Sequence, residues 1–376
     1  MELRNMKKLG IDVSLLGFGC MRFPMKDGQI DEVEAERMLD SAYKHGVNYF
    51  DTAYPYHNGQ SEPLVGRILD QYDRHSYYLA TKLPVWEVKS LEDAKRIFEE
   101  QLKRLNKDYI DFYLLHALNQ DRFQAMKELG IIEFCEELQQ QGKIKYLGFS
   151  FHDSYEVFEE IITHRNWDFC QIQYNYADRN EQAGDKGYAL AEALDIPLII
   201  MEPLKGGSLC KFSDDITDMF KVLNPDASIP SFGLRWVASH PNVKVILSGM
   251  SSWDQVEDNL NTFNHYVPLS KEEETVIEQV DEIIKSRVQN GCTACRYCMP
   301  CPAGVDIPRN FRLWNTYHMF QNYNMAKWDW EQQMVDQHCR ADQCIQCGAC
   351  EEQCPQKLHI RDDLVTLTKD LNSPIY

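Results

Sequence analysis

The stretch Leu15-Leu16-Gly17-Phe18-Gly19-Cys20 is the first of eight short apolar segments, each followed by an amphipathic one. The apolar segments, interpreted as strands, span residues 15–20, 48–53, 77–82, 110–116, 146–151, 169–174, 197–202 and 243–249. The amphipathic segments have apolar residues at helical spacing and span residues 32–45, 61–72, 91–105, 122–141, 154–164, 184–194, 229–239 and 253–264. Eight alternating units in about 250 residues predict a parallel α/β sheet closed into a (β/α)8 TIM barrel. An open, doubly wound sheet is the alternative.

Length, composition and charge limit the classes of protein that this chain can belong to. Its 376 residues are 44% hydrophobic and carry a formal charge of −19. This charge argues against nucleic acid or a membrane surface as a partner, because both require a basic face. No apolar run has membrane-spanning length, and the N-terminus has no signal-peptide core, so we expect a cytoplasmic protein.

The sequence predicts three parts along the chain. Residues 1–267 form the barrel, with a capping hairpin at residues 2–13. Residues 268–290 form a connecting helix, since Ser270 followed three residues later by Glu273 is typical of a helix start. Residues 291–376 have a different composition and form a smaller domain.

Four polar residues follow three neighbouring predicted strands. Asp51 and Tyr56 follow the second strand, Lys82 ends the third, and His116 ends the fourth. The carboxyl ends of barrel strands meet at one mouth, so these side chains are expected to be neighbours. Asp51 would keep Lys82 charged, the ammonium would lower the pKa of Tyr56, and His116 would orient a carbonyl oxygen. Any one of these residues alone has an ordinary structural explanation; together they predict proton delivery for carbonyl reduction.

The arrangement resembles the catalytic tetrad of the aldo-keto reductases, over residues 8–265. The supporting motifs are Asp51-Thr-Ala-x-x-Tyr56, Thr81-Lys82, Leu114-Leu115-His116, Gln171-x-x-Tyr174-Asn175, Pro203-Leu204, and Ser248-Gly249-x-Ser251 followed by Gln255 and Asn259. The family pattern places the proton donor five residues after the aspartate. The resemblance therefore implies that Tyr56, and not Tyr54, is the donor.

The resemblance also implies a nicotinamide cofactor, NAD(P)H, across the barrel mouth. The implied binding residues are Ser150 and Gln171 for the carboxamide, Met201, Pro203 and Leu204 beside them, and Ser251, Gln255 and Asn259 for the adenosine half. Four positions depart from the family pattern. Phe151 replaces a frequent asparagine, and Met201 replaces a stacking tyrosine. Gly249 and Gln255 stand where a lysine and an arginine often read a 2′-phosphate. Lys205 is a further candidate for a phosphate contact.

Eight of the thirteen cysteines lie in two short runs of the C-terminal part. The runs are Cys292-Thr-Ala-Cys295-Arg-Tyr-Cys298-Met-Pro-Cys301-Pro302 and Cys344-Ile-Gln-Cys347-Gly-Ala-Cys350-Glu-Glu-Gln-Cys354-Pro355. Three thiolates at this spacing can wrap one cubane cluster, and the cysteine before proline usually serves the other cluster. The runs resemble those of ferredoxins. Structural zinc is the alternative, although zinc ligands usually come in two separated pairs.

The ferredoxin resemblance implies two 4Fe–4S clusters in an α-helical domain. Its crossed scheme assigns Cys292, Cys295, Cys298 and Cys354 to one cluster and Cys344, Cys347, Cys350 and Cys301 to the other. The spacer between the runs, residues 306–338, predicts two helices. Cys339 and the isolated barrel cysteines are interpreted as packing residues.

The combination resembles aldo-keto reductase-like oxidoreductases with a C-terminal iron–sulfur domain. It implies NAD(P)H-linked reduction of a small-molecule carbonyl or related substrate, with clusters that exchange electrons with a partner such as a ferredoxin. Nicotinamide releases a hydride whereas a cluster accepts one electron, so a flavin is a further candidate cofactor. The alternative function is an electron-transfer protein whose barrel is a docking or flavin-holding scaffold. A third interpretation treats the tail as a structural metal site.

Overall fold

Eight parallel strands close into a barrel, as the alternating segments predict. The computed structural model describes residues 1–321 and 323–373. The barrel strands are β1 (Leu16–Gly19), β2 (Tyr49–Asp51), β3 (Tyr78–Leu83), β4 (Ile110–Leu118), β5 (Ile144–Phe151), β6 (Phe169–Gln173), β7 (Leu198–Met201) and β8 (Val243–Ser248). Each strand pairs with the next, and β8 pairs with β1, so the sheet closes on itself. The (β/α)8 barrel is confirmed, and the open sheet is excluded.

The strand register explains why polar residues of β2, β3 and β4 meet. Asp51 lies beside Ala80 on β3, two residues before Lys82. Lys82 lies beside Leu114 on β4, two residues before His116. Side chains two residues apart on a strand share one face. Asp51, Lys82 and His116 therefore lie on the same face of the barrel wall, on three adjacent strands.

Ten helices follow the strands or lie between them in residues 32–264. They are α1 (Glu32–Lys44), α2 (Ser61–Leu69), α3 (Leu91–Leu105), α4 (Gln120–Glu128), α5 (Ile131–Gln140), α6 (Tyr155–His164), α7 (Gly184–Ala193), α8 (Asp214–Leu223), α9 (Ile229–Ala238) and α10 (Trp253–Asn264). The single helix predicted at residues 122–141 is wrong, because α4 and α5 are separate. Gly130 between them has φ 67°, a conformation that glycine adopts without steric cost and that ends a helix. Helix α8 was not predicted.

The N-terminal hairpin predicted at residues 2–13 is present. Strands Leu3–Met6 and Ile11–Ser14 pair antiparallel. Met6 and Val13 are fully buried in the same apolar cluster as Tyr49 and Phe112 of the barrel strands. The hairpin therefore contributes side chains to the barrel core.

The chain divides into two compact units, residues 1–206 with 230–270, and residues 207–229 with 271–376. This division differs from the predicted boundaries in two respects, since residues 207–229 and the connecting helix from residue 271 both group with the C-terminal part. Helix α8 packs on α11 (Lys271–Ser286). Arg287, just after α11, also donates to Asp215 at 2.7 Å. Contacts between residues so distant in sequence leave no trace in local periodicity.

The second unit is helical, as predicted for the tail. Its further helices are α12 (Ile307–Phe320), α13 (Tyr323–Trp328), α14 (Met334–Asp336), α15 (Ala349–Gln353) and α16 (Ile360–Asn372). Residues of α12 and α16 form most of its apolar core, and six cysteines of the two runs pack against that core. Among the residues described, none of the helices combines the length and apolarity that crossing a membrane requires.

Candidate functional site

Lys82 forms a buried ion pair near the carboxyl end of β3. Its Nζ lies 2.6 Å from Asp51 Oδ1 and donates to the Thr52 carbonyl oxygen at 2.8 Å. The Lys82 residue is 0% exposed. Burial alone lowers the pKa of Lys82, but Asp51 and Tyr56 together outweigh it and raise the pKa, so the ammonium stays charged. Burial raises the pKa of the Asp51 carboxyl, and Lys82 opposes that rise.

Tyr56 lies next to this ion pair. Its hydroxyl is 3.4 Å from Lys82 Nζ, and the ammonium lies 4.9 Å from the ring centroid. Tyr54 behaves differently, since its hydroxyl donates to Glu100 Oε2 at 3.0 Å. Of the two phenols, it is therefore Tyr56 that the fold brings to the lysine.

A left-handed turn holds Tyr56 in place. His57 and Asn58 have φ 51° and 55°, which is unusual for residues with a side chain. The backbone N–H of Phe23 donates to His57 Nε2 at 3.2 Å and ties this turn to the loop after β1. This turn therefore positions the phenol of Tyr56.

The Lys82 ammonium lowers the pKa of Tyr56 as predicted, but the pKa is raised overall. Burial raises the pKa of Tyr56, and Asp51 adds to the rise, while Lys82 lowers it by less. Sequence spacing indicated the ammonium correctly but carried no measure of burial. The neutral phenol is nevertheless the form that donates a proton. Lys82 would stabilise the charge left on the oxygen after donation.

His116 is a neutral imidazole beside Tyr56. The two ring centroids are 6.0 Å apart, and the rings are nearly perpendicular. Burial lowers the pKa of His116 well below its ordinary value, and Lys82, His152 and Arg122 lower it further. Its buried Nδ1 has no hydrogen-bond partner among the described residues. The ring can therefore hydrogen-bond a ligand oxygen without carrying a charge.

A buried polar network behind Lys82 was missed in the sequence. Glu62 Oε1 accepts from Thr81 Oγ1 at 2.7 Å and from Gln101 Nε2 at 2.9 Å. Gln101 Nε2 also lies 3.0 Å from the Lys82 carbonyl oxygen. Arg104 Nη1, 3.4 Å from Glu62 Oε2, completes the network. The available signal was Gln101 itself, a polar residue in the apolar stripe of α3.

Three residues predicted to hold the nicotinamide lie at the ends of β5, β6 and β7. Ser150 Oγ accepts from the backbone N–H of Ala117 at 2.7 Å, so its own proton can be donated elsewhere. Gln171 Nε2 lies 3.6 Å from Met201 Sδ, and its buried Oε1 has no partner among the described residues. An unpaired buried acceptor costs about 1–3 kcal/mol. This oxygen therefore fits a ligand with an N–H donor, such as a carboxamide.

The predicted adenosine-side residues are neighbours after β8. Asn259 Nδ2 donates to Ser248 Oγ at 2.6 Å. The backbone N–H of Ser251 donates to Gln255 Oε1 at 2.8 Å, and both residues are exposed. Polar side chains in this arrangement fit the hydrogen-bonding groups of a nucleoside.

The loop after β7 contains Pro203, which is buried, and Leu204, which is half-buried. Lys205 follows and forms an ion pair with the buried Asp178. Lys205 would have to leave this carboxylate to contact a phosphate. Asp178 therefore competes with the predicted phosphate contact of Lys205.

The eight cysteines of the two runs border two cavities in the second unit. One, of about 220 Å³, is lined by Cys301, Cys344, Cys347 and Cys350 among others. The other, of about 20 Å³, is lined by Cys292, Cys295, Cys298 and Cys354 among others. These are the two sets of the crossed scheme, with Cys298 bordering both cavities. The smaller cavity has room for about one water, so its cysteine loop would have to move outward to admit a cluster.

The two cysteine runs share one backbone conformation. Ala294 and Arg296 have φ 56° and 62°, and the equivalent Gln346 and Gly348 have φ 58° and 80°. In each run the backbone N–H of the residue before the second cysteine lies 3.4 Å from the Sγ of the first cysteine. Such N–H groups favour a negatively charged sulfur. Both loops therefore fit thiolate ligands.

In both runs, the cysteine that precedes proline begins the same kind of turn. Gly304 N–H donates to the Cys301 carbonyl oxygen at 3.0 Å, and Lys357 N–H donates to that of Cys354 at 3.1 Å. Helices α12 and α16 begin shortly after these turns. Each cysteine run is thus part of a repeated structural unit that consists of a loop, a turn and a helix.

Three of these thiols have raised pKa values. Burial raises the pKa of Cys292 and Cys298, and the thiols around them add to the rise. Burial also raises the pKa of Cys350 to about 11. Metal binding must displace the protons of these thiols, so it is expected to depend on pH.

Two family models match the chain. The aldo/keto reductase family model matches residues 15–283, which contain the whole barrel. The model of a 4Fe-4S dicluster domain matches residues 291–358, which contain both cysteine runs. Both resemblances stated from the sequence are confirmed.

Individual relatives agree with these matches. The uncharacterized oxidoreductase YqkF of Bacillus subtilis is 27% identical over 296 residues, 70% of this chain and 92% of its own. The NADH-specific methylglyoxal reductase of Escherichia coli K12 is 25% identical over 322 residues, 75% of this chain and 96% of its own. Among solved structures, the holo form of the aldo-keto reductase AKR11C1 from Bacillus halodurans is 28% identical with TM-score 0.62, covering 74% of this chain and 96% of its own.

Proposed function

Because the chain belongs to the aldo/keto reductase family and carries a 4Fe-4S domain, we propose that it uses NAD(P)H to reduce a small-molecule carbonyl or related group. The observation that carries this proposal is the Lys82 ammonium, 2.6 Å from Asp51 and 3.4 Å from the Tyr56 hydroxyl. The Escherichia coli relative is an NADH-specific methylglyoxal reductase, which supports a nicotinamide nucleotide and a small carbonyl compound.

Each member of the tetrad has a separate role in this proposal. A bound reduced nicotinamide supplies a hydride to the carbonyl carbon. Tyr56 donates its hydroxyl proton to the carbonyl oxygen, and Lys82 stabilises the phenolate that remains. Asp51 keeps Lys82 charged, and neutral His116 orients the carbonyl oxygen. General-acid catalysis of this kind contributes roughly 10²–10⁴-fold to the rate.

The proposed cofactor site extends from β5 to the loop after β8. Ser150 and Gln171 would hold the carboxamide, with Met201 against the ring and Pro203 and Leu204 beside it. The adenosine half would take Ser251, Gln255 and Asn259. The unpartnered oxygen of Gln171 supports the first assignment.

In the second unit, we propose two 4Fe–4S clusters bound by the crossed cysteine sets. Bound clusters supply one-electron transfer. The cysteines hold the irons through thiolates, and the exposed Cys295 and Cys347 bring each set to the surface. A partner such as a ferredoxin is proposed to exchange electrons there, with a flavin as the candidate link between hydride and one-electron chemistry.

One observation favours the alternative, an electron-transfer protein whose barrel is a docking or flavin-holding scaffold. Tyr297 and Ile345 are large apolar residues within the two cysteine runs, yet they are 69% and 65% exposed. Exposed apolar groups next to redox centres favour a protein partner. If this alternative holds, electrons pass through the second unit while the barrel does not reduce a carbonyl compound.

The test of the reductase is a pair of tyrosine variants. Tyr56→Phe is expected to lower kcat for carbonyl reduction roughly 10²–10⁴-fold and to leave nucleotide binding intact. Tyr54→Phe is the matched control and should change kcat little. Equal turnover by the two variants would reject the assigned donor.

The test of the clusters is elemental analysis after anaerobic purification. About eight iron atoms per chain support two clusters, whereas zinc alone rejects them. Bound flavin would support the mediated route.

A further inference from the structure

An aromatic and a cationic side chain form one wall of the barrel mouth, beside His116. The Trp86 ring centroid lies 5.0 Å from that of His116, and the tryptophan is 41% exposed. The Arg122 guanidinium lies 5.2 Å from the Trp86 ring centroid. Tyr56 is the proposed proton donor. His116, then Trp86 and then Arg122 follow it along the wall.

Arg122 is anchored by one hydrogen bond. Its Nη1 donates to the carbonyl oxygen of Ala117, the residue after His116, at 2.8 Å. Ala117 has φ 54°, so this bond holds a turn that also includes the backbone N–H donated to Ser150. One edge of the guanidinium is therefore fixed relative to the imidazole, while its other N–H groups have no hydrogen-bond partner among the described residues and can bind a ligand.

Arg122 has no carboxylate partner within ion-pair distance in the described part of the chain, unlike other cations of the mouth. Lys82 is paired with Asp51, and Lys205 with Asp178. The carboxylate of Asp153 near the start of α4 accepts from the backbone N–H groups of Gln120 and Ser154. A cation without a counter-ion among the described residues of the barrel mouth is a place where a ligand anion gains energy.

The groups that act on the pKa of His116 are also basic, like Arg122. Besides burial, the groups that lower the pKa of His116 are Lys82, His152 and Arg122, and all three are basic. Glu202 faces this region as well, and it acts on His152. The charges of Lys82 and Arg122 near the imidazole therefore favour an anionic ligand beside it.

We propose that Arg122 binds a carboxylate of the substrate, so that the preferred substrates are short oxo acids whose carbonyl lies against Tyr56 and His116. This inference rests on the proposed carbonyl reduction and narrows its substrate class. The hydride of the reduced nicotinamide goes to the carbonyl carbon and the Tyr56 proton to the oxygen. The carbonyl becomes an alcohol, the nicotinamide is oxidised, and the carboxylate is unchanged.

The test compares charged substrates with neutral ones of the same shape. Oxo carboxylates of two to five carbons, such as 4-oxobutanoate, are assayed beside their amides with wild type and Arg122→Gln. The wild type should prefer the carboxylates. Arg122→Gln should raise KM for carboxylates about 10–100-fold, the range of a charge-assisted hydrogen bond, and change KM for amides less than about twofold. Arg122→Lys should recover part of the preference, since lysine keeps the positive charge but lacks the planar guanidinium that can donate two hydrogen bonds to one carboxylate.

Lys127→Gln is the matched control, because it removes a positive charge from the same helix. Lys127 is paired with Glu160 and lies over Phe123. Its loss should leave the carboxylate preference unchanged. An equal effect of Arg122→Gln on carboxylates and amides would show that Arg122 only supports the Ala117 turn and would overturn the inference.

Calorimetry separates this inference from the proposed function. 4-Oxobutanoate and its amide are titrated into protein containing oxidised nucleotide, so no turnover is needed. Tighter binding of the carboxylate that is lost in Arg122→Gln supports the anion site even if no carbonyl compound is reduced. Absence of reduction for both substrate classes would reject the reductase, and equal binding would reject the anion site.

Discussion

The barrel mouth and the cysteine runs are both candidate redox sites, but they are built in opposite ways. The mouth is complete without a ligand, because Lys82 and Asp51 neutralise each other on adjacent strands and both are buried. Seven of the eight cysteines lie in loops and Cys350 lies in α15, with Cys295 and Cys347 exposed and no disulfide among them. Strand register sets the geometry of the first site. The second has thiols whose final arrangement depends on the metal that they bind.

Iron removal is expected to produce the largest difference between the two regions. Anaerobic chelation should abolish the cooperative unfolding of the second unit, since six cysteines of the two runs pack against its apolar core. The barrel should keep its own transition. Calorimetric scans of the holo and chelated protein measure this. A second unit that unfolds at the same temperature with and without iron would show that its helices need no cluster.

Lys82→Met should be the most damaging single change in the mouth. It leaves the Asp51 carboxylate buried without a partner, which costs about 3–5 kcal/mol. Urea unfolding of the barrel measures the loss. The double variant Lys82→Met/Asp51→Leu should recover most of the stability but no activity, because the charges are gone together. A double variant as unstable as the single one would contradict this explanation.

Acidification should destabilise the mouth through His116. The folded-state pKa of this imidazole lies below that of the unfolded chain, so the unfolded state binds more protons below about pH 6.5. Stability should therefore fall as the pH decreases from 6.5, by at most about 1.4 kcal/mol per pH unit. His116→Gln should reduce this slope in urea unfolding series. His57, His152 and His240, whose pKa values are also lowered by burial, would contribute to the remaining slope.

The smallest effect is expected from the backbone of the cysteine loops. Gly348 has φ 80°, and a methyl group there would meet only ordinary contacts with Arg361. Gly348→Ala should therefore weaken cluster retention by about 1–2 kcal/mol, the cost of a left-handed conformation. Arg296 occupies the equivalent position of the first run with φ 62°. Arg296→Gly should not weaken retention, as measured by bleaching of cluster absorbance during chelation.

Much of the fold could be predicted because its signals are local. All eight barrel strands are present, since an apolar strand flanked by amphipathic helices repeats along the chain. The break at Gly130 was missed because the apolar spacing continues across it. Helix α8 was missed as well. Its packing on α11 groups residues 207–229 with the tail, and no local pattern encodes that contact.

Like the fold, the candidate site was predictable where its signals lie in short segments of the sequence. Strand ends brought Asp51, Lys82 and His116 to one rim, and spacing separated Tyr56 from Tyr54. The Glu62 and Gln101 network and the position of Arg122 beside Trp86 needed the folded structure. These contacts join different elements, and their geometry follows from packing.

The amino-acid sequence alone determined the barrel, the residues at its strand ends and the grouping of the cysteines. Periodicity and spacing are properties of short segments, and they survive in a linear chain. Tertiary structure alone decided that burial outweighs Lys82 and raises the pKa of Tyr56. It also decided which thiols border each of the two cavities. Desolvation and Coulomb interactions sum over all neighbours in space, and only the folded chain specifies those neighbours.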